Sequence, residues 1–159
     1  MITNAEASRE IRRLFYADWV TGTTALNLLR RSGGAPYVPV ARYQDVEEND
    51  FNDNQVHWCH FEMRNVVTRQ KSLTGGRQEE VGTIYTTRGL VTIDLYFSKE
   101  SHKTSDKDAI EQIVQRIFMK QTTPGGVWFR NPTIRQLEPT ESHFRSLVTA
   151  EYTFDTCVQ

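Results

Sequence analysis

The chain's hydrophobic positions fall into two helical and five extended stretches. Ile11, Leu14, Phe15 and Trp19 recur at i, i+3, i+4 and i+8, which places them on one face of a helix. Thr3 and Glu6 have capping-box spacing, so the helix is predicted over 3–19, with Arg9, Arg12 and Arg13 on its polar face. Thr21-Gly22-Thr23-Thr24 is expected to end or kink it. A short helical turn is expected over 25–31, before Ser32-Gly33-Gly34 breaks the pattern. Ile110, Ile113, Val114, Ile117 and Phe118 form the strongest amphipathic stripe in the chain. Its helix is predicted to open at Ser105, with Asp108 as the capping acid, and to stop by Pro124-Gly125-Gly126.

Period-two alternation marks the strands. Over 56–69, Cys59, Phe61 and Met63 face one side, and Trp58, His60, Glu62 and Arg64 the other. Over 81–97, Val91, Ile93, Leu95 and Phe97 point inward, while Thr92, Asp94 and Tyr96 point outward; Gly89 suggests a bulge near the start. Residues 126–137 and 144–155 read as two more strands joined by Glu138-Pro-Thr-Glu141. Phe144, Val148, Ala150, Tyr152 and Phe154 share one side of the second. Pro132 pushes the first towards an edge or a bulge. YVPVARY at 37–43 is a short edge strand at best, because Pro39 cannot donate to a ladder. The element order is α-β-β-β-α-β-β. Hairpin-like spacings predict an α+β fold: a mainly antiparallel sheet of four or five strands, packed by two helices in one domain spanning 1–159. With only two helices, one sheet face is expected to be covered and the other left to solvent or a partner.

Composition narrows the class. The 38% hydrophobic content is modest, and the 11% aromatic content with a net charge of −1 argues against disorder. That balance also lacks the basic excess of a general nucleic-acid binder. No apolar run is long enough to span a membrane. MITNAEASREIRRL lacks the apolar region of a signal peptide. Two cysteines, Cys59 and Cys157, do not make a disulfide framework, so a reduced, cytosolic setting is expected.

Candidate chemistry is sparse. His57, Cys59 and His60 lie together, but on a strand residues 57 and 59 share a face and 60 points away, and no second ligand pair completes a tetrahedral site. His102 and His143 are expected in solvated loops. Cys59 shares its face with Phe61 and Met63, where a buried, inert thiol is expected. Neither glycine pair after residue 34 fits a phosphate-binding loop. No catalytic residue, metal or cofactor is expected.

Charge, however, is segregated. Residues 45–53 hold five acids (Asp45, Glu47, Glu48, Asp50 and Asp53) and no base. Residues 64–77 hold four bases (Arg64, Arg69, Lys71 and Arg77) and no acid. Each block alone reads as a solubilising loop. Taken together, they suit a head-to-tail contact between copies, or a basic lining for a channel. Trp58 and Trp128 each lie on the strand face opposite a phenylalanine, and both are candidate interface anchors.

Certain phrases then carry a family resemblance. Arg88-Gly-Leu-Val-Thr-Ile-Asp-Leu-Tyr-Phe97 is followed by a polar loop and the amphipathic helix. Thr123-Pro-Gly-Gly-Val-Trp-Phe-Arg-Asn131 and a final Ala150-Glu-Tyr-Thr-Phe-Asp155 come after it. With the N-terminal helix and Pro39-Val-Ala-Arg-Tyr-Gln-Asp-Val46, this layout resembles the tail terminator (tail-completion) proteins of long-tailed bacteriophages over roughly 5–155. The resemblance implies a structural virion protein of the tail and neck, assembled in the host cytoplasm, without enzymatic activity or cofactor. It implies a hexameric ring capping the head-proximal end of the tail tube. Its partners would be the tail tube protein and a head-closure protein, with DNA passing through the lumen without specific binding. Another neck or tail-tube component is the alternative within the same class. A small cytosolic enzyme or ligand-binding module is the alternative outside it.

Overall fold

A computed structural model describes residues 2–44, 53–71, 83–119 and 122–158. The observed order is α1 (Asn4–Thr24), β1 (Val40–Tyr43), β2 (Trp58–Gln70), β3 (Thr83–Ser98), α2 (Thr104–Met119), β4 (Trp128–Leu137) and β5 (His143–Val158). One five-stranded sheet has the order β1-β2-β3-β5-β4. Its β2–β3, β3–β5 and β4–β5 pairs are antiparallel, as the alternation and spacing predicted. The β1–β2 pair is parallel, which hairpin-like spacing did not foresee. β1 reaches β2 through a connection, not a hairpin, and its direction was not written in either strand's pattern.

The capping box forms as read. Thr3 Oγ1 accepts the Glu6 N–H at 3.2 Å, and Glu6 returns a carboxylate to the Thr3 N–H at 2.8 Å. The bonds that the Glu6 carboxylate accepts from the Thr3 N–H, foremost, and from the Thr3 hydroxyl hold it below its usual range. Ala7, Ile11, Phe15, Trp19 and Thr23 form the buried stripe, which extends the helix past the expected stop. Gly22 does not end the helix. A side chain there would run into Ile113 of α2, and the missing Cβ lets the two helices approach closely. The expected helical turn at 25–31 is instead a hydrogen-bonded turn ending at left-handed Asn27, after which Leu28 bridges to Tyr37. α2 starts at Thr104, so Ser105 and Asp108 lie inside it, not at its cap.

Both helices contribute to one core against the sheet. Phe15 lies 5.1 Å from Phe61 and 6.5 Å from Phe118, and Phe118 lies 5.3 Å from Phe129, ring centre to ring centre. Each such ring stabilises the fold by about 1.5–3 kcal/mol through burial. Cys59 is fully buried opposite its register partner Leu95, in the same core as Val91, Ile93 and Phe97. Trp19 donates its indole N–H to the Pro39 carbonyl at 2.9 Å, which ties α1 to the start of β1.

Proline and glycine act where expected, with one shift of place. β1 is an edge strand beginning directly after Pro39, and β4 is the opposite edge, with a register break between Arg130 and Thr133 around Pro132. The irregularity near Gly89 lies on its partner β2, between Asn65 and Val67. His143 is not in a solvated loop. It is the first residue of β5, buried, and its Nε2 lies 3.0 Å from the Val56 carbonyl. His102 is half-buried beside Phe144, 4.9 Å between ring centres. Phe144 shares the inward parity of β5 but is 38% exposed, with His102 and Lys99 against its ring.

Candidate interaction surface

Strand parity places two very different faces on this sheet. The inward side chains of β2, β3 and β5 meet the helices; the outward ones carry Arg42, Trp58, His60, Glu62, Asp94, Tyr96, Arg145 and Glu151, among others. None of the outward residues belongs to the buried hydrophobic core.

One end of this open face is closed on itself. Trp58 and Tyr96 are register partners and stack at 3.9 Å with their planes 2° apart. The Arg42 guanidinium lies 4.8 Å over the Trp58 ring, and that of Arg145 lies 5.1 Å over Tyr96. Arg145 also forks onto Asp94. The Asp94 hydrogen bond raises the Arg145 pKa, while burial and then the Asp94 charge raise that of Tyr96. Trp58 is therefore held flat within a polar network.

The other end is open. Val67 on β2, Arg88 on β3, Thr153 on β5 and Trp128 on β4 form one row of register partners across four strands. Arg69, Thr86, Lys71 and Arg130 flank that row, and together these residues line a shallow groove of about 270 Å³. Trp128 is 40% exposed and Val67 37%. Beyond the helices' cover, every residue from Arg64 to Lys71 is exposed while β2 stays paired with β3 as far as Gln70, so this end of the strand forms an arm of the sheet exposed on both faces; its Val66 is 57% exposed.

The sequence-predicted charges divide as follows. Arg64 is exposed and lies 3.5 Å from Glu62. Lys71 is engaged within the chain: its Nζ lies 2.6 Å from Asp155, which also accepts the Thr86 hydroxyl. Burial alone would raise the Asp155 pKa, and these two hydrogen bonds outweigh it and hold it low. Arg69 lines the groove and, among the described residues, has no carboxylate partner. Asp53 is half-buried, pairs with Arg30 at 3.2 Å and accepts the Gln55 N–H at 2.9 Å, so it serves its own loop. Asp45, Glu47, Glu48, Asp50 and Arg77 lie outside the described residues.

Arg88 and Arg130 lie outside the basic block of the sequence and join Arg69 only through strand pairing. Strand parity was the available signal: Arg88 shares its face with Leu90 and Thr92, and Arg130 with Trp128.

No protein-family model and no curated protein matches the chain.

The histidine and cysteine cluster separates as strand geometry requires. His57 and Cys59 are buried on the helix side, and His60 is on the open face. His57 Nδ1 accepts the Ser98 N–H at 2.9 Å, and Tyr37 Oη accepts the His57 N–H at 2.9 Å. Burial, then the neighbouring His102 and His143, lower the His57 pKa to about 4. Among the described residues, no three His, Cys, Asp or Glu side chains are arranged to hold a metal ion. Among the described residues, no helix is long and apolar enough to cross a membrane. The geometry offers a charged, partly apolar surface for contact.

Proposed function

We propose that the chain is a ring-forming tail terminator subunit. It caps the head-proximal end of a phage tail tube, ends tube polymerisation and presents the surface to which the filled head joins. The single observation that carries this reading, beside the resemblance, is the open end of the sheet. An arm exposed on both faces, bearing Val66, Val67 and Arg69, adjoins a groove containing Trp128. Trp and Arg are the residue types that dominate protein interfaces, and two exposed valines set among polar side chains beyond the core find burial against a neighbour. Two faces of different character suit a head-to-tail ring, in which each subunit uses one patch to receive the other. In this reading DNA passes through the ring's lumen, and the tail tube and head-closure proteins contact its two rims.

The test is genetic. Removing this chain from the phage that encodes it should give tails of uncontrolled length that fail to join filled heads. Tails of normal length with unjoined heads would instead favour a head-closure role. Normal, infectious particles would refute both.

A further inference from the structure

We infer that the groove between the β2 arm and β4 is the docking site for the acidic 45–50 segment of a second copy of this chain. The inference deepens the ring reading and rests on it for the identity of the partner.

Three guanidiniums define the site. Arg69, Arg88 and Arg130 come from three different strands, project from one face and line one groove. Among the described residues none forms an ion pair, although Glu151 is the register partner of Arg130. Lys71 beside them is neutralised by Asp155 and Glu151 borders the groove, so among the described residues the three guanidiniums outnumber the nearby carboxylates and leave a positive excess that favours an anion. Its apolar parts, Val67 and Trp128, give that anion a partly desolvated bed, where ionic contacts are less screened than on open surface.

The matching anion is in the same sequence. Asp45, Glu47, Glu48 and Asp50 fall within six residues that contain no base, and the whole chain sums to −1. A groove built for nucleic acid would have to hold its ligand against this acidic run, present at equal copy number. The run follows directly on β1, which is one edge of the sheet, whereas the groove ends at β4, the other edge. A segment that follows one edge strand in sequence and a groove at the other edge belong to different parts of the chain, so their pairing between successive copies would be the heterologous arrangement that closes rings.

Sedimentation equilibrium at low salt, with the concentration varied into the millimolar range, reads this contact. The wild type should self-associate, and raising the salt should weaken it. Arg88→Glu with Arg130→Glu should weaken association at least about tenfold, and so should Glu47→Lys with Glu48→Lys. All four reversals in one chain should restore it. The milder Arg88→Gln with Arg130→Gln pair, checked by circular dichroism, guards against misfolding. Unchanged association in the groove variants overturns the inference and leaves the ring reading standing. So does a loss that the fourfold variant fails to repair, or a wild type monomeric throughout. A labelled single-stranded DNA bound by the wild type, and released by the groove variants while their self-association persists, would assign the groove to nucleic acid instead. The tail-length phenotype is independent of all these outcomes and tests the ring reading on its own.

Discussion

Gly89 is the residue whose side chain would matter most by being present. A Cβ there would strike the Tyr152 ring and the Arg64 carbonyl, because the phenol lies across the glycine to donate to Asn65 at 2.6 Å. Burial pushes the Tyr152 hydroxyl up to about 12, so it stays a donor at any ordinary pH. Gly89→Ala should cost about 1–3 kcal/mol, read by chemical denaturation, since backbone as well as ring must shift. His57 gives a second prediction. It binds protons less readily in the folded state than in the unfolded one, where its pKa is 6.5, so between pH 6.5 and about 4 the unfolded chain holds more protons. Stability should be full above that window and fall as pH drops through it, by up to about 3 kcal/mol. His57→Asn, which keeps an acceptor for the Ser98 N–H, should flatten this slope in denaturation midpoints taken across the window. An unchanged slope would contradict the assignment. Residue-scale features of this kind were half legible. Cys59 inside and Trp58 outside follow from parity alone. The burial of His143 depends on Val56, 87 positions away along the chain, and no local pattern encodes that.

At the scale of elements, patterns with strong periodicity were read correctly and their ends were not. The α1 stripe continued through Thr23 because glycine at position 22 satisfies α2, a tertiary reason that overrides its low helix propensity. The turn after α2 is fixed from a distance as well. Glu10 of α1 accepts the Thr123 hydroxyl at 2.6 Å and the Gly125 N–H at 3.1 Å, and Thr123 Oγ1 in turn accepts the Val127 N–H at 3.1 Å. That carboxylate aims the chain into β4 just before Trp128. Glu10→Ala should destabilise the protein by about 1–3 kcal/mol, because charged hydrogen bonds to a partly buried turn are lost. Hydrogen exchange should show the amides of Gly125 and Val127 opening first. The inner end of β5 is held by Glu111, which binds Lys107, Gln136 and Ser146. Burial would raise the Glu111 pKa, and those donors more than offset it.

For the whole molecule, net charge was the misleading number and its distribution the informative one. The value of −1 hides an open sheet face where arginines from β2, β3 and β4 converge. Fold class and the uncovered face were legible because two helices cover only one side of a five-stranded sheet. The groove was not, because its cations come from three strands and meet only after β4 pairs with β5. Trp128→Ala separates folding from assembly. An exposed edge residue should change stability by under about 1 kcal/mol, by thermal denaturation, while association between copies should fall sharply. A large loss of stability would mean that the ring serves the fold and not the contact. The most direct measurement is the position of this chain in an intact particle, by electron cryomicroscopy of virions whose proteins have been identified. The account predicts a single closed ring of this chain between the last tail-tube ring and the head-closure layer. Density for the chain along the length of the tube, or none in the particle, would contradict it.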